Sequence, residues 1–380
     1  MNTIEILTPV HIGTGNEIES FCYHSIKNNE IARYNFEDIM CQVPQSVLTN
    51  PHFLNSFRIN ANKNKFKKKE LYQSILQYVD YKSLNPIYCL GYTPLYQEDI
   101  ILNYDVSEQI NDLHKPYIPG SSLKGAIFTA WKYKTLKDNY GDVLKNFNKL
   151  LDKYKTENRR NFNITFPELL FGIKNDAFLS KLYGCLLCDD FYFNDLELFE
   201  ANRYGTGRDM NGKIPLSYKE CIKVGQKSKA NFLKIDAFKF ERLKNEFTTG
   251  IYVNLIRNFN EKYLFEACNE FTKDIIECDK TDLYLDFYED FEGINKQIDI
   301  INQYLHDNNS IVMRVGNSTN YFYKSISYLF KKNSSKLFTD NPKVFMPTSK
   351  SKTYSIPKTR VIYTNQSFDY LPGFIKVTYD

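Results

Sequence analysis

The sequence predicts an α+β protein of two modules with antiparallel sheets and helical insertions. Three observations carry this. Short β-branched and aromatic runs bounded by Gly, Pro and Asn recur along the chain, interleaved with helical patterns. Their order is strand, helix, strands, then helices, strand, helix, strands, which lacks the strict alternation of a parallel doubly wound sheet. The 380 residues also exceed what a single core usually serves, about 250–300 residues.

The first strand is Thr3–His11, alternating and rich in Ile and Thr, and it is predicted to end in a turn at Gly13-Thr14-Gly15. Ile18–Ile26 and Ile31–Tyr34 form a hairpin around Asn28-Asn29. Asn35–Tyr81 reads as a polar helical insertion containing the lysine run Lys63–Lys69. Pro116–Gly120 is a turn. Ser121 or Ser122 then caps a helix with Leu123, Ile127, Ala130 and Trp131 on one face.

A second helical insertion covers 140–162, and Leu182–Phe193 has the texture of a buried strand. Asn202–Pro215, with Gly205, Gly207 and Gly212, reads as a long exposed hairpin or loop. Strands at Cys221–Val224 and Asn231–Phe240 flank Gly225, and helices occupy Phe259–Ile276 and Ile294–Leu305. A strand at Ile311–Val315, a helix at Tyr321–Phe330, and strands at Arg360–Tyr363 and Gly373–Val377 complete the chain. This order suits paired ferredoxin-like units, with the boundary between modules near residue 240.

Charge is distributed unevenly. The net charge is only +4, but residues 203–234 carry eight basic side chains against two carboxylates, and 310–376 carry eleven against two. Residues 235–309 carry sixteen carboxylates against eight basic residues. The pattern predicts a polyanion-facing surface and a separate acidic one. Aromatic content of 16% does not by itself argue for base stacking. The first ten residues lack a secretory pattern and no apolar run reaches the roughly 18 residues of a membrane span, so a cytoplasmic protein with no membrane partner is expected. The eight cysteines follow no framework spacing and are expected as thiols.

Two motifs carry chemistry. In Thr8-Pro9-Val10-His11-Ile12-Gly13-Thr14-Gly15 the glycines let backbone approach a ligand closely, with N–H groups available to a phosphate. In Tyr117-Ile118-Pro119-Gly120-Ser121-Ser122-Leu123-Lys124-Gly125 a turn feeds a helix N-terminus bearing two hydroxyls and Lys124. It is not a P-loop, because the Gly-Lys-Ser/Thr ending is absent. Together the two resemble the signature of the RAMP superfamily of CRISPR proteins. Leu170-Phe171-Gly172, the aspartates Asp189 and Asp190, and Glu220 through Gly225 to Phe232 are similar to later elements of that family. The ending Leu371-Pro372-Gly373-Phe374 and the segment Arg314-Val315-Gly316-Asn317 resemble the family of subunits that cap type III-A Csm effector complexes, the fifth Csm protein.

The resemblance implies two RRM-like or ferredoxin-like modules, 1–240 with a thumb-like hairpin at about 202–218, and 241–380. It implies binding at the 3′-proximal end of CRISPR RNA, beside the repeated backbone subunit and the small helical subunit, with target RNA a further partner. Candidate RNA-contacting residues are His11, Gly13, Thr14, Gly15, Ser121, Ser122 and Lys124. Arg203, Arg208 and Lys213 at the hairpin, and Arg314, Gly316 and Lys324 near the C-terminal loop, join them. No cofactor and no metal is expected; Cys185 and Cys188 lack a second Cys/His pair and read as core. No acid/base pair stands beside the glycine motifs, so a binding protein is expected. The alternative left open is an endoribonuclease that processes precursor CRISPR RNA, with His11 as its acid or base.

Overall fold

The computed structural model describes residues 1–27, 29–51, 53–55, 72–92, 105–156, 165–172, 177–205, 212–248, 250–287, 292–307, 309–319, 322–341, 345, 359–365 and 368–379. It is an α+β fold whose sheets are mainly antiparallel.

One sheet has four strands in the order Lys227–Ala230, Asn2–Ile6, Phe374–Tyr379, Ser310–Arg314. Its register lines up Ile4 with Val377 and Ile311, and Ile6 with Ile375 and Met313, giving apolar cross-strand rows that are nearly fully buried. The first strand therefore sits between strands from both expected modules, so 1–240 and 241–380 share this sheet. Its edge at Ser310–Arg314 is closed by the Glu261–Phe287 helix: Asn269 bonds both the Ser310 carbonyl (3.0 Å) and the Val312 N–H (2.9 Å), and the Thr272 hydroxyl donates to the Val312 carbonyl (2.8 Å). These side chains satisfy backbone groups that a bare edge would leave open.

The larger sheet curls around the other side. Its strands run Gly13–Ile18, Val106–Gln109, Gly212–Ile222, Leu196–Gly205, Tyr88–Tyr92, Glu30–Arg33, Tyr23–Lys27. Thr359–Thr364 pairs along the outer half of Leu196–Gly205. The segment 196–222 is a hairpin, the first of the two readings, but one set in a sheet with Asn202 fully buried at a bulge; its tip, 206–211, lies outside the described residues. The Gly120–Asp138 helix packs along Glu261–Phe287 in the core and buries Leu123, Ile127, Ala130 and Trp131 as its spacing predicts. Phe128, Tyr133 and Leu136 are buried too, so this helix is covered nearly all round.

Several local expectations are corrected. Gly13-Thr14-Gly15 is not a turn but the start of a strand, bulged where it meets Val106–Gln109, with Gly15 at φ 94°. Lys115–Ile118 is a strand paired with Phe191–Tyr192, and the helix starts at Gly120 with Pro119 as its N-cap. Ser121 and Ser122 therefore lie inside the first turn and cap nothing; the Asp190 carboxylate takes the Gly120 N–H (2.7 Å). Leu182 lies in the last turn of the Ala177–Gly184 helix, and only two-residue strands follow up to Phe193, at Leu186–Leu187 and Phe191–Tyr192. Within Asn231–Phe240, Asp236 accepts from the Lys239 N–H and starts the Ala237–Glu246 helix. The two expected insertions contribute to the core: Ile39, Val43, Tyr72 and Ile75 are buried in the first, Val143 and Phe147 in the second. The lysine run 63–69 lies outside the described residues.

The carboxylates of 235–309 are partly internal. Glu270 and Asp274 face the Gly120–Asp138 helix, where Lys137 reaches both (2.5 and 2.9 Å), Lys134 reaches Glu270 (3.0 Å) and the Tyr133 hydroxyl donates to Asp274 (2.9 Å). Lys332 closes on Asp274 from a third element (2.8 Å). The lysines hold both carboxyls below the usual carboxylate range against the opposing effect of burial.

Candidate nucleic-acid interface

A buried polar network positions the first glycine motif. The Glu220 side chain is fully buried; its Oε1 accepts from the Tyr23 and Tyr88 hydroxyls (2.8 and 2.7 Å) and its Oε2 from the Gln109 N–H (3.0 Å). Burial pushes the Glu220 carboxyl up, and the hydrogen bonds and nearby Arg33 oppose this. Gln109 in turn accepts from the Ile12 N–H (2.7 Å) and donates to the carbonyls of Ile110 and Tyr117. The Glu220 backbone carbonyl accepts from His11 Nδ1 (2.7 Å). On the outer side Glu108 pairs with Arg33 (2.8 Å) and accepts from Thr14 Oγ1 (3.0 Å) and Asn16 Nδ2 (3.2 Å). These linked bonds fix the backbone of the motif before any ligand arrives.

The C-terminal loop meets this motif backbone to backbone. Gly316 stands at φ 90°, the Asn317 N–H donates to the His11 carbonyl (2.8 Å), and a Cβ at 316 would lie 2.5 Å from that oxygen. Gly373 makes a similar approach deeper in the fold: its N–H donates to the Pro9 carbonyl (2.9 Å), and a Cβ there would meet the Val315 carbonyl at 2.3 Å. The missing side chain at Gly316 lets the two loops pack backbone to backbone.

These loops and the Gly120–Asp138 helix enclose a cleft of about 610 Å³. His11, Gly13 and Gly15 form one wall, Ser122 and Thr129 with the bare backbone of Gly125 another, and Gly316 and Asn317 a third. Lys219, Lys324 and Arg314 supply positive charge, and Glu17 is the carboxylate at the rim. Lys219 is held by a hydrogen bond to Ser107 Oγ (2.6 Å), and burial pulls its pKa down. Lys324 is also pulled down, by burial first and by Arg314 second. Among the described residues the partly buried Lys219 ammonium is bonded to a hydroxyl rather than to a carboxylate, and the exposed Lys324 adds a second positive charge to the lining.

The expected residues divide accordingly. His11, Gly13, Gly15, Ser122, Arg314, Gly316 and Lys324 converge on the cleft. Thr14 turns away to Glu108, and Ser121 is exposed outside the lining. Lys124 lies on the opposite side of its helix from Ser122 and Gly125, with Nζ 4.8 Å from the Tyr183 ring. Arg314 lines the wall, but its guanidinium is engaged inside, donating to the Pro372 carbonyl (2.5 Å) and sharing the fully buried Asp279 with Arg360. Arg203 lies on the long hairpin away from this lining. Arg208 and the Lys213 side chain fall outside the described residues. Lys219 is the site residue the motifs miss: it lies one residue from Glu220, and strand alternation brings it to the cleft face.

His11 is 1% exposed, and burial, helped by nearby Lys219, lowers its pKa to about 4 against the Nδ1 bond that raises it. Its folded pKa lies below the ordinary 6.5, so its contribution to stability is complete above pH about 6.5. It is lost as pH falls toward about 4, where the unfolded chain takes up the proton first. The unfolding free energy from urea melts is expected to fall between pH 7.5 and 4.5 by roughly 2 kcal/mol more in the wild type than in His11→Asn. Parallel pH profiles for the two proteins would remove this assignment.

Among the described residues there is no cluster of metal-ligating side chains and no helix long and apolar enough to cross a membrane. Cys185 donates to the Lys181 carbonyl, and burial pushes the Cys188 thiol up to about 12.

The fold is shared with solved structures. A chain of the cryo-EM structure of a Csm–crRNA–target RNA ternary complex from a type III-A CRISPR-Cas system superposes with a TM-score of 0.68 at 20% identity, covering 99% of this chain and 100% of that one. The crystal structure of T. onnurineus Csm5 gives 0.60 at 18% identity, covering 98% and 99%. No curated protein matches the sequence. The sequence matches the RAMP superfamily over residues 3–370, and the chain belongs to that superfamily.

Proposed function

We propose that this chain is the RNA-holding cap of a type III-A Csm complex, acting in the cytoplasm without cutting RNA. It would sit at the 3′-proximal end of the CRISPR RNA, against the repeated backbone subunit and the small helical subunit, close to target RNA. The observation that carries this reading is the meeting of three distant glycine-bearing segments at one cleft lined by two lysines, the partly buried Lys219 and the exposed Lys324. Compact ammonium groups beside glycine backbone suit phosphates and tolerate any base sequence. Full-length likeness to Csm5 and to a chain of an RNA-bound Csm complex supports the assignment to that assembly.

The processing endoribonuclease is less well supported, because a histidine with a pKa near 4 is a poor general acid at neutral pH, and its Nδ1 is engaged by the Glu220 carbonyl. The test uses the purified chain with single-stranded repeat RNA in EDTA. Affinity is expected to fall steeply with salt, with the RNA recovered intact and the chain co-purifying with other Csm subunits in its host. Defined cleavage products that vanish in His11→Asn would overturn the non-catalytic reading. Binding that is flat with salt would overturn the phosphate-holding one.

A further inference from the structure

We propose that His11 Nε2 accepts a hydrogen bond from a ribose 2′-hydroxyl of the strand in the cleft, so that this one atom distinguishes RNA from DNA. The inference deepens the reading above and rests on it.

The geometry assigns the tautomer. A backbone carbonyl can only accept, so the 2.7 Å contact to the Glu220 carbonyl requires Nδ1 to carry the proton. A neutral ring then presents a lone pair at Nε2. The ring is kept neutral by its burial and by Lys219, a positive charge on the neighbouring strand. Among the described residues its one hydrogen bond is through Nδ1.

Gly13 leaves Nε2 open. A Cβ at position 13 would lie 3.0 Å from Nε2 and 3.6 Å from Cε1, covering the acceptor. Gly13 does not belong to the glycines with positive φ, so its backbone conformation does not call for glycine. What the missing side chain provides is access from the cleft to the one free nitrogen of a ring otherwise 1% exposed.

An acceptor here cannot serve phosphate, which at neutral pH has no proton to give in a diester; Lys219 and Lys324 are the groups for that. The donor on a nucleic-acid backbone is the 2′-hydroxyl, present in RNA and absent from DNA. A cleft that holds phosphates with ammonium groups and offers a buried, oriented lone pair beside them therefore reads the sugar and not the base.

The test compares oligouridine of about ten nucleotides with its 2′-fluoro and 2′-deoxy counterparts on the full chain. The 2′-fluoro sugar keeps the RNA pucker but cannot donate, which separates the hydrogen bond from strand shape. Wild type is expected to bind the 2′-hydroxyl form roughly three- to tenfold more tightly than the 2′-fluoro form. His11→Asn, whose amide N–H can still reach the Glu220 carbonyl, and Gly13→Ala, which covers Nε2, should each lose that preference. The readout is the ratio of 2′-hydroxyl to 2′-fluoro affinity in each protein, so a change common to both strands does not enter it. Equal wild-type affinity for the two forms, or a preference that survives in both variants, overturns the inference and leaves phosphate binding intact. Failure of all three strands to bind would instead overturn the functional reading on which it rests.

Discussion

Gly120→Ala is expected to cost the protein on the order of 3 kcal/mol or more and to lower its melting temperature by roughly 10 °C. A Cβ at 120 would lie 2.0 Å from the Cys188 carbonyl oxygen, 2.7 Å from its carbon and 3.0 Å from the Asp189 oxygen. All three are backbone atoms and cannot swing aside. Their segment is tied on both sides: the Asp189 N–H donates to the Asn231 carbonyl (3.0 Å), and the Asp189 carboxylate accepts from the Asn231 backbone and side chain (3.1 and 2.8 Å). Asp190 reaches back to the Gly120 N–H itself (2.7 Å), so any retreat of the segment also uncaps the helix. Gly125, five residues on, is the internal control. Nothing stands within 4 Å of a Cβ there, and alanine should stabilise the helix by about 1 kcal/mol. Thermal melts of the two variants side by side decide the matter; a Gly120→Ala protein melting with wild type would mean this approach of the Cys188-Asp189 segment to the helix is wrong.

That contact also explains why some of the fold could be read in the sequence and some could not. The helix at Gly120 was legible because Leu123, Ile127, Ala130 and Trp131 recur at helical spacing, a local signal. Its capping was not, because the carboxylate that satisfies the first N–H belongs to Asp190, seventy positions away. Serines at 121 and 122 looked sufficient for that task. Asn231–Phe240 read as a strand through its apolar and aromatic residues, yet Asp236 at the N-cap turns the second half into a helix. The pairing of Asn2–Ile6 with Phe374–Tyr379 is invisible to local patterns and sets the shared sheet on which the glycine loops meet.

The site shows the same division. His11 and the glycines were recognisable as motifs, and they do converge. Arg314 reads as a phosphate candidate because it precedes Gly316 in a basic segment; its guanidinium is a buried partner of Asp279, whose own segment read as an acidic surface. Charge runs count residues without showing which way they face. Lys219 carried no motif at all, and only the register of its strand beside Ser107 brings it to the cleft.

Replacing both cleft lysines gives the largest expected effect on binding. Lys219→Ala with Lys324→Ala should weaken the affinity for single-stranded RNA by roughly 2–4 kcal/mol, one charge-assisted contact for each lysine. The slope of log affinity against log salt should flatten by about 1.4 for a single strand. Folding should respond in the opposite sense. Lys219 is partly buried with its pKa lowered by desolvation, and Lys324, though exposed, is lowered too and feels Arg314, so their removal relieves desolvation and like-charge repulsion. The melting temperature is expected to hold or rise. Lys137→Ala supplies the contrast, since that lysine bridges Glu270 and Asp274 inside the fold: it should lower the melting temperature and leave RNA affinity near wild type. A double variant that binds RNA as tightly as wild type would remove the cleft as the RNA-holding surface. One that loses affinity only in proportion to a fall in melting temperature would reduce these lysines to elements of the scaffold.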